Sequence, residues 1–258
     1  MKKKSNYLTF LYHEATDDPS NTGFQRNSAL PYKHKVKEFC SNIDIIVRNR
    51  NNIVTVDKIN TYSNATLLTF DDGGKSALLI ADYLEKYSLK GHFFITTSLI
   101  GNKYFLDKDE IIDLHKRGHI IGSHSHSHPN VFKSLTYDKM VFEWSRSKSI
   151  LEDIINTKIN TCSIPGGDSN SNSYLSAKEC GYDFIFDSEP TLKLRNKDGI
   201  IVLGRICPKA GTKLQQIEEF CKLKGIKKQL YIRKIKNIIK ILLFPLYSRI
   251  HNARKHEK

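Results

Sequence analysis

Cysteine is sparse and unpatterned. Cys40, Cys162, Cys180, Cys207 and Cys221 are odd in number, widely spaced and never in a CxxC. That excludes a disulfide framework and a zinc-finger spacing, and reads as reduced thiols in a cytosolic protein. Long apolar runs are absent too, since no window reaches the ~18 residues of a spanning helix. The start, MKKKSNYLTFLYHEATDD, has a basic cluster, but its mostly apolar run stops after six residues at His13 and Glu14. A secretory leader needs a longer run and a small-residue cleavage site. Secretion and a membrane span are both disfavoured, and a cytoplasmic location is expected. No internal repeat is visible. Acid is scarce at one end: from Cys207 to Lys258, three Glu stand against 14 Lys and Arg. That stretch holds most of the net charge of +14.

The remaining composition is that of a folded protein. Hydrophobic residues make up 39% and charged residues 26% of 258, enough for a substantial core. The expected division is a nearly neutral body, 1–206, followed by a basic tail, 207–258. Short β-rich runs lie at Tyr7–Tyr12, Ile53–Val56, Thr66–Phe70, His92–Thr96, Ile120–Ser123, Thr161–Ile164, Asp183–Phe186 and Ile200–Leu203. Between them fall amphipathic stretches near Lys35–Arg48, Ser76–Tyr87, Lys108–Arg117, Asp138–Asn156 and Ser173–Cys180. Such alternation implies parallel strands joined by crossover helices. Seven to eight strands in this length predict an α/β fold, a closed or nearly closed (β/α) barrel, with its chemistry at the C-terminal ends of strands.

Two segments stand out against that frame. In Leu67-Leu68-Thr69-Phe70-Asp71-Asp72-Gly73-Gly74 an apolar strand runs into two adjacent carboxylates. Paired acids beside apolar bulk are costly unless a cation sits there. An ordinary strand–turn–helix with Asp as N-cap is the alternative. In Gly118–Pro129, His119, His124, His126 and His128 follow a short strand. His124 and His128, spaced i and i+4, share a face if the segment makes a helical turn. Two imidazoles and a carboxylate make an open metal site, whereas a solvated histidine-rich loop is the plainer reading. His119 reads as structural and His126 as exposed or supporting.

Together, about fifty residues apart, these segments resemble the first two motifs of the polysaccharide deacetylase family (NodB homology, carbohydrate esterase family four). The likeness runs from about Tyr7 to Ile206 and takes in LLIADYLEKYSLKGHFFITTSLIG, DEIIDLHKRGHIIGSHSHSHP and SKSILEDI. It implies a distorted (β/α) barrel. It also implies that Asp72, His124 and His128 bind one divalent metal, zinc first, with cobalt, nickel, manganese or iron also fitting. Asp71 would be the general base. The third motif corresponds to Cys162-Ser163-Ile164-Pro165-Gly166-Gly167, where the N–H of Gly166 would receive the oxyanion.

The chain departs from the family pattern in two places. The third-motif Arg is missing, with Ser163 at or near its place and Arg205 as the expected substitute. The late Leu-x-His is missing as well, because His251 and His256 lie in the basic tail. Leu11-Tyr12-His13 ends the first strand instead, as in a subgroup resembling a circular permutation, and His13 is the expected general acid. If so, the N-terminus is no cleaved leader. Asp187 is the expected orienter of His13.

In the tail, Ile226, Leu230, Ile235, Ile238, Ile239, Leu242 and Leu243 recur at helical spacing among Lys and Arg, until Pro245 ends or kinks the helix. The run Ile238–Tyr247 is too short to span a bilayer. The tail suits an anionic membrane surface, or packs back on the barrel or a second subunit. No base-reading motif points to specific nucleic acid. The expected activity is de-N-acetylation of an amino sugar on a nucleotide or lipid carrier, as in lipopolysaccharide or capsule synthesis. An exported peptidoglycan or exopolysaccharide deacetylase and a non-catalytic sugar-binding relative are the alternatives.

Overall fold

A computed structural model describes residues 5–242, with side chains through Ile235. Pro245, His251 and His256 lie outside the described residues, as do the side chains of the Ile238–Tyr247 run. The elements in order are β1 (Asn6–Tyr12), β2 (Glu14–Ala15), β3 (Lys33–His34), α1 (Val36–Asn49), β4 (Asn64–Phe70), α2 (Ala77–Glu85) and β5 (His92–Ile95). They continue with α3 (Lys108–Lys116), β6 (Ile120–Ser123), α4 (Tyr137–Ile155), β7 (Thr161–Ser163), α5 (Ser171–Glu179), β8 (Phe184–Phe186), β9 (Arg195–Lys197), β10 (Ile200–Leu203), α6 (Leu214–Cys221) and α7 (Ile226–Leu242).

One eight-stranded sheet follows the order β1-β4-β5-β6-β7-β8-β10-β9. All its pairings are parallel except the β9–β10 hairpin. The expected barrel is present as a curled sheet that nearly closes: Phe10 bridges Ile206, with Leu11 N–H donating to Ile206 O and Ile206 N–H to Thr9 O, both 2.8 Å. β4 is buried at six of its seven positions, as a parallel strand covered on both faces must be. Leu67, Phe94, Phe186 and Leu203, from four strands, fill the interior.

Helices cover the outside because their apolar residues recur at helical spacing. In α1 these are Phe39, Ile43 and Ile46, with Asn42 on the same buried face. A capping box of Asp107 and Glu110 starts α3. Asn156, left-handed at φ 51°, ends α4.

The expected strand at Ile53–Val56 does not form. Ile53 makes one bridge to Thr66, and a short 3-10 helix occupies Val56–Thr61. The Val56 N–H is taken by the His92 ring (2.9 Å), which removes it from any ladder. The expected boundary at 206 also divides what the structure joins. Ile217, Phe220, Cys221 and Ile226 belong to the main core, and α6 packs on α1. Turning residues Leu223 (φ 59°) and Gly225 (φ 73°) then send α7 back across the barrel mouth.

Candidate active site

Strand register brings the chemistry together. β1 and β4 run parallel, with Tyr12 opposite Phe70, so His13 and Asp71 leave adjacent strands at the same level. The Asp71 N–H donates to Tyr12 O (3.1 Å). β6 delivers His124, β7 delivers Ser163, β8 leads to Asp187, and the segment after β10 delivers Arg205. All sit at the C-terminal edge of the sheet, as in other parallel barrels.

Asp72, His124 and His128 offer ligand atoms within 4.8 Å of one another. Nε2 of His124 and Nε2 of His128 each lie 3.4 Å from Asp72 Oδ1. Nδ1 of His124 faces Ser163 O at 2.9 Å. A carbonyl only accepts, so Nδ1 carries the proton and Nε2 turns its lone pair into the site. Asp72 Oδ1 is buried without a hydrogen-bond donor. A buried carboxylate oxygen 3.4 Å from two imidazole nitrogens is a donor set that suits a divalent cation. Burial pushes the Asp72 carboxyl up, but the two histidines and the nearby His13 outweigh it and hold it well below the usual range.

No helical turn aligns His124 with His128. Ser125 (φ 65°) and His128 (φ 52°) are left-handed, and an irregular loop folds the rings to 5.0 Å between centroids. Side chains tie that loop: Ser125 Oγ accepts from His128 N–H (3.1 Å), and Glu143 of α4 accepts from Ser127 N–H (2.7 Å) and Oγ (2.5 Å). His119 is structural, accepting from Gly91 N–H (3.1 Å), and half-buried His126 meets Thr97 Oγ1 (3.0 Å).

Asp71 is 3% exposed and held by two partners. Arg205 donates from Nη1 to Oδ1 (2.7 Å) and from Nη2 to Oδ2 (2.9 Å), and Ser163 Oγ donates to Oδ2 (3.0 Å). Arg205 also donates to Ser163 Oγ (2.8 Å), Thr69 Oγ1 (3.4 Å) and Asp187 O (3.0 Å), so all five guanidinium hydrogens are placed. Burial raises the Asp71 carboxyl, while Arg205 and then His124 more than offset that and keep it low.

His13 is half-buried against Tyr32, its ring 4.5 Å away, and desolvation pulls its pKa down to about 4. Asp187 does not reach His13. Its carboxylate accepts from Tyr174 Oη (2.9 Å) and Arg195 Nη2 (2.8 Å), and its part in the site is the backbone oxygen under Arg205. With the Glu189 N–H on Oδ1 (2.9 Å), these partners occupy the carboxylate. Gly166 (φ 66°) lies in a 3-10 turn, and the next amide, Gly167 N–H, is bound to Ile164 O (2.9 Å).

Residues with no sequence signal also line the cavity of about 360 Å³: Tyr32, Lys33 and Lys209, with Gln229, Ile232 and Arg233 from α7. Glu14 lines it too, and its place beside His13 at a strand end could have marked it. It accepts from Thr22 Oγ1 (2.6 Å) and Ser76 Oγ (2.5 Å), and burial lifts its pKa to about 7.

Residues 58–185 match the family model described as polysaccharide deacetylase. The Bacillus subtilis protein YxkH, named for the same family, is 27% identical over 155 residues, 60% of this chain and 54% of that one. A chitin deacetylase from Arthroderma benhamiae is 33% identical over 97 residues, 37% of this chain and 25% of that one. The chain thus spans about half the length of the first relative and a quarter of the second. The deacetylase PplD from Streptococcus pyogenes, solved with acetate, superposes with a TM-score of 0.71 at 16% identity, covering 83% of this chain and 97% of that one. IcaB from Ammonifex degensii gives 0.70 at 16%, covering 84% and 97%. At these identities the likeness is one of fold.

Proposed function

The chain carries a polysaccharide deacetylase domain, and from that premise we propose that it removes the acetyl group from an N-acetylated amino sugar. The substrate in this reading is a nucleotide- or lipid-linked intermediate of envelope polysaccharide synthesis. One observation carries the reading: Asp71 is kept ionised by Arg205 and Ser163 beside the Asp72–His124–His128 cluster. Binding alone needs no such second carboxylate, and this weighs against a non-catalytic sugar-binding relative.

Asp72, His124 and His128 would hold the divalent ion, zinc in the first instance, which supplies carbonyl polarisation and a more acidic water when bound. Asp71 takes the proton of the attacking water. The Gly166 N–H faces the charge that develops on the acetyl oxygen. His13 passes a proton to the departing amine. Desolvation favours the neutral ring, with a pKa of about 4, so His13 must first take up the proton it delivers, and the proton that Asp71 removes from water is the one the site supplies. The products are acetate and a free amino sugar.

The names of the relatives suggest longer substrates, polysaccharide and chitin. A cavity of about 360 Å³ with α7 along one wall favours a short one, since pockets of ~300–1,000 Å³ hold small ligands. Five free thiols suit a reducing compartment, and the reading puts the enzyme in the cytoplasm. Among the described residues no helix is long and apolar enough to cross a membrane. Contact with an anionic inner leaflet is part of the proposal, through the outer face of α7, where Tyr231 and Ile235 are exposed beside Lys234.

The test is acetate release by metal-reconstituted protein from nucleotide-linked, lipid-linked and polymeric N-acetyl sugars. Asp71→Asn should keep its metal and lose turnover by about 10²–10⁴-fold. Turnover surviving that change would remove Asp71 as the base, and release from polymer alone would favour the polysaccharide reading.

A further inference from the structure

We propose that Arg233 is a positioning residue of this site, and that α7 is a wall of the cleft. The inference rests on the reading of Gly166 as the oxyanion donor and assigns the group that holds it in place.

The turn that carries Gly166 is weakly determined by its own chain. Gly166 (φ 66°) and Gly167 (φ 69°) are successive left-handed glycines, and such residues lose the most conformational freedom when ordered. One internal hydrogen bond, Gly167 N–H to Ile164 O, spans the turn. On one side it rests on Ser188, so closely that a Cβ on Gly167 would lie 1.9 Å from Ser188 Oγ. On the other side the tie comes from α7. Arg233 Nη2 donates to Gly167 O (2.8 Å) and to Asp168 Oδ1 (3.0 Å). A guanidinium spanning a carbonyl and a carboxylate fixes both position and orientation.

Arg233 acts from a helix that already faces the site. Gln229, Ile232 and Arg233 all line the cavity, and their spacing of i, i+3 and i+4 puts them on one stripe of α7. Ile226, 6% exposed, seats the start of the helix in the core. Tyr231 and Ile235 are exposed, so the outward face is a different one. A simple surface ion pair would contribute little. The contact with the Gly167 carbonyl makes this pair different, because that carbonyl belongs to the Gly167–Asp168 peptide unit, two units along the same tight turn from the Pro165–Gly166 peptide that carries the donor N–H.

The experiment compares Arg233→Ala, Arg233→Lys and Asp168→Asn in the full-length, metal-loaded chain. Arg233→Ala should lower kcat by about 10- to 100-fold with a small change in KM, as a displaced oxyanion donor does. Arg233→Lys, which can still reach the carbonyl, should recover part of the loss. Asp168→Asn removes charge but keeps an acceptor, and should lose less than Arg233→Ala. If Arg233→Ala only lowers thermal stability and leaves kcat in place, the proposal is overturned.

A second readout does not depend on turnover. Amide hydrogen exchange at Gly166 and Gly167 should speed up by about tenfold or more in Arg233→Ala, while the β6 amides stay protected. Unchanged exchange at the turn overturns the proposal even if the protein deacetylates. Faster exchange in a protein that releases no acetate upholds the clamp and counts against the deacetylase reading instead.

Discussion

Arg205 meets Asp71 across 134 residues of sequence through two hydrogen bonds of 2.7 and 2.9 Å, both partners being buried. The pair is possible because Ile206 bridges Phe10, which brings the end of β10 around to the strand that neighbours β4. An unpaired buried guanidinium would be costly, but this one has partners for every N–H. Ser163 completes the arrangement by accepting from Arg205 and donating to Asp71.

Replacing Arg205 by Met should leave Asp71 buried and uncompensated, costing about 3–5 kcal/mol of stability. With the Arg205 charge gone, the Asp71 pKa moves up from its depressed value. The acid limb of the pH–rate profile should therefore shift to higher pH. Acetate release measured from pH 4 to 9, with urea unfolding alongside, checks both; an unmoved limb would mean that Arg205 does not set the charge of Asp71.

Acid should destabilise the fold through neutral buried histidines. His92 donates from Nδ1 to Leu68 O (2.9 Å) and accepts from Val56 N–H at Nε2 (2.9 Å), so a second proton breaks an existing bond. Burial lowers its pKa to about 4. A depressed folded pKa gives stability that is present above the unfolded value near 6.5 and lost as pH falls through 4. His92 should account for up to roughly 3 kcal/mol of that loss. An NMR titration of His92 with a midpoint near 6.5 in the folded protein would contradict the assignment.

Glu14 has the opposite sign. Its folded pKa is raised to about 7, chiefly by burial. Its stabilising effect is present below the unfolded carboxyl value and is lost as pH rises through 7. Glu14→Gln should therefore match the wild type near pH 4.5 and exceed it at pH 8 by up to roughly 3 kcal/mol. The site is tight, since a Cβ on Gly74 would lie 2.0 Å from Glu14 Oε1, so Gly74→Ala should destabilise at every pH. Unfolding curves at the two pH values are the measurement.

Ending the chain after Ile206 should unfold the barrel. That truncation deletes Ile217, Phe220 and Ile226 from the main core. Burial of each is worth about 1.5–3 kcal/mol, against a typical total of ~5–15 kcal/mol. Circular dichroism melts of the 1–206 fragment and of the full chain are the measurement, the full chain melting cooperatively and the fragment showing no such transition, and a well-folded 1–206 fragment would restore the boundary at 206.

The sequence by itself determined the parts whose signal is local. Asp71-Asp72 and the His124–His128 loop are legible because each is a short run of chemically distinctive residues at a strand end. The covering helices are legible because burial on one face imposes a period, whereas His13 in Leu11-Tyr12-His13 stands out only through the family resemblance, since a lone histidine after a strand carries no signal of its own. The tertiary structure decided whatever depends on strand register and sheet closure. It paired Arg205 with Asp71, turned the Asp187 carboxylate to Tyr174 and Arg195, drew Val56 out of a strand through His92, and set Arg233 of α7 against the Gly167 carbonyl. Those contacts join residues up to 134 positions apart, and no periodicity or local spacing encodes them. They exist because parallel strands end on one level and the chain after β10 returns across that edge.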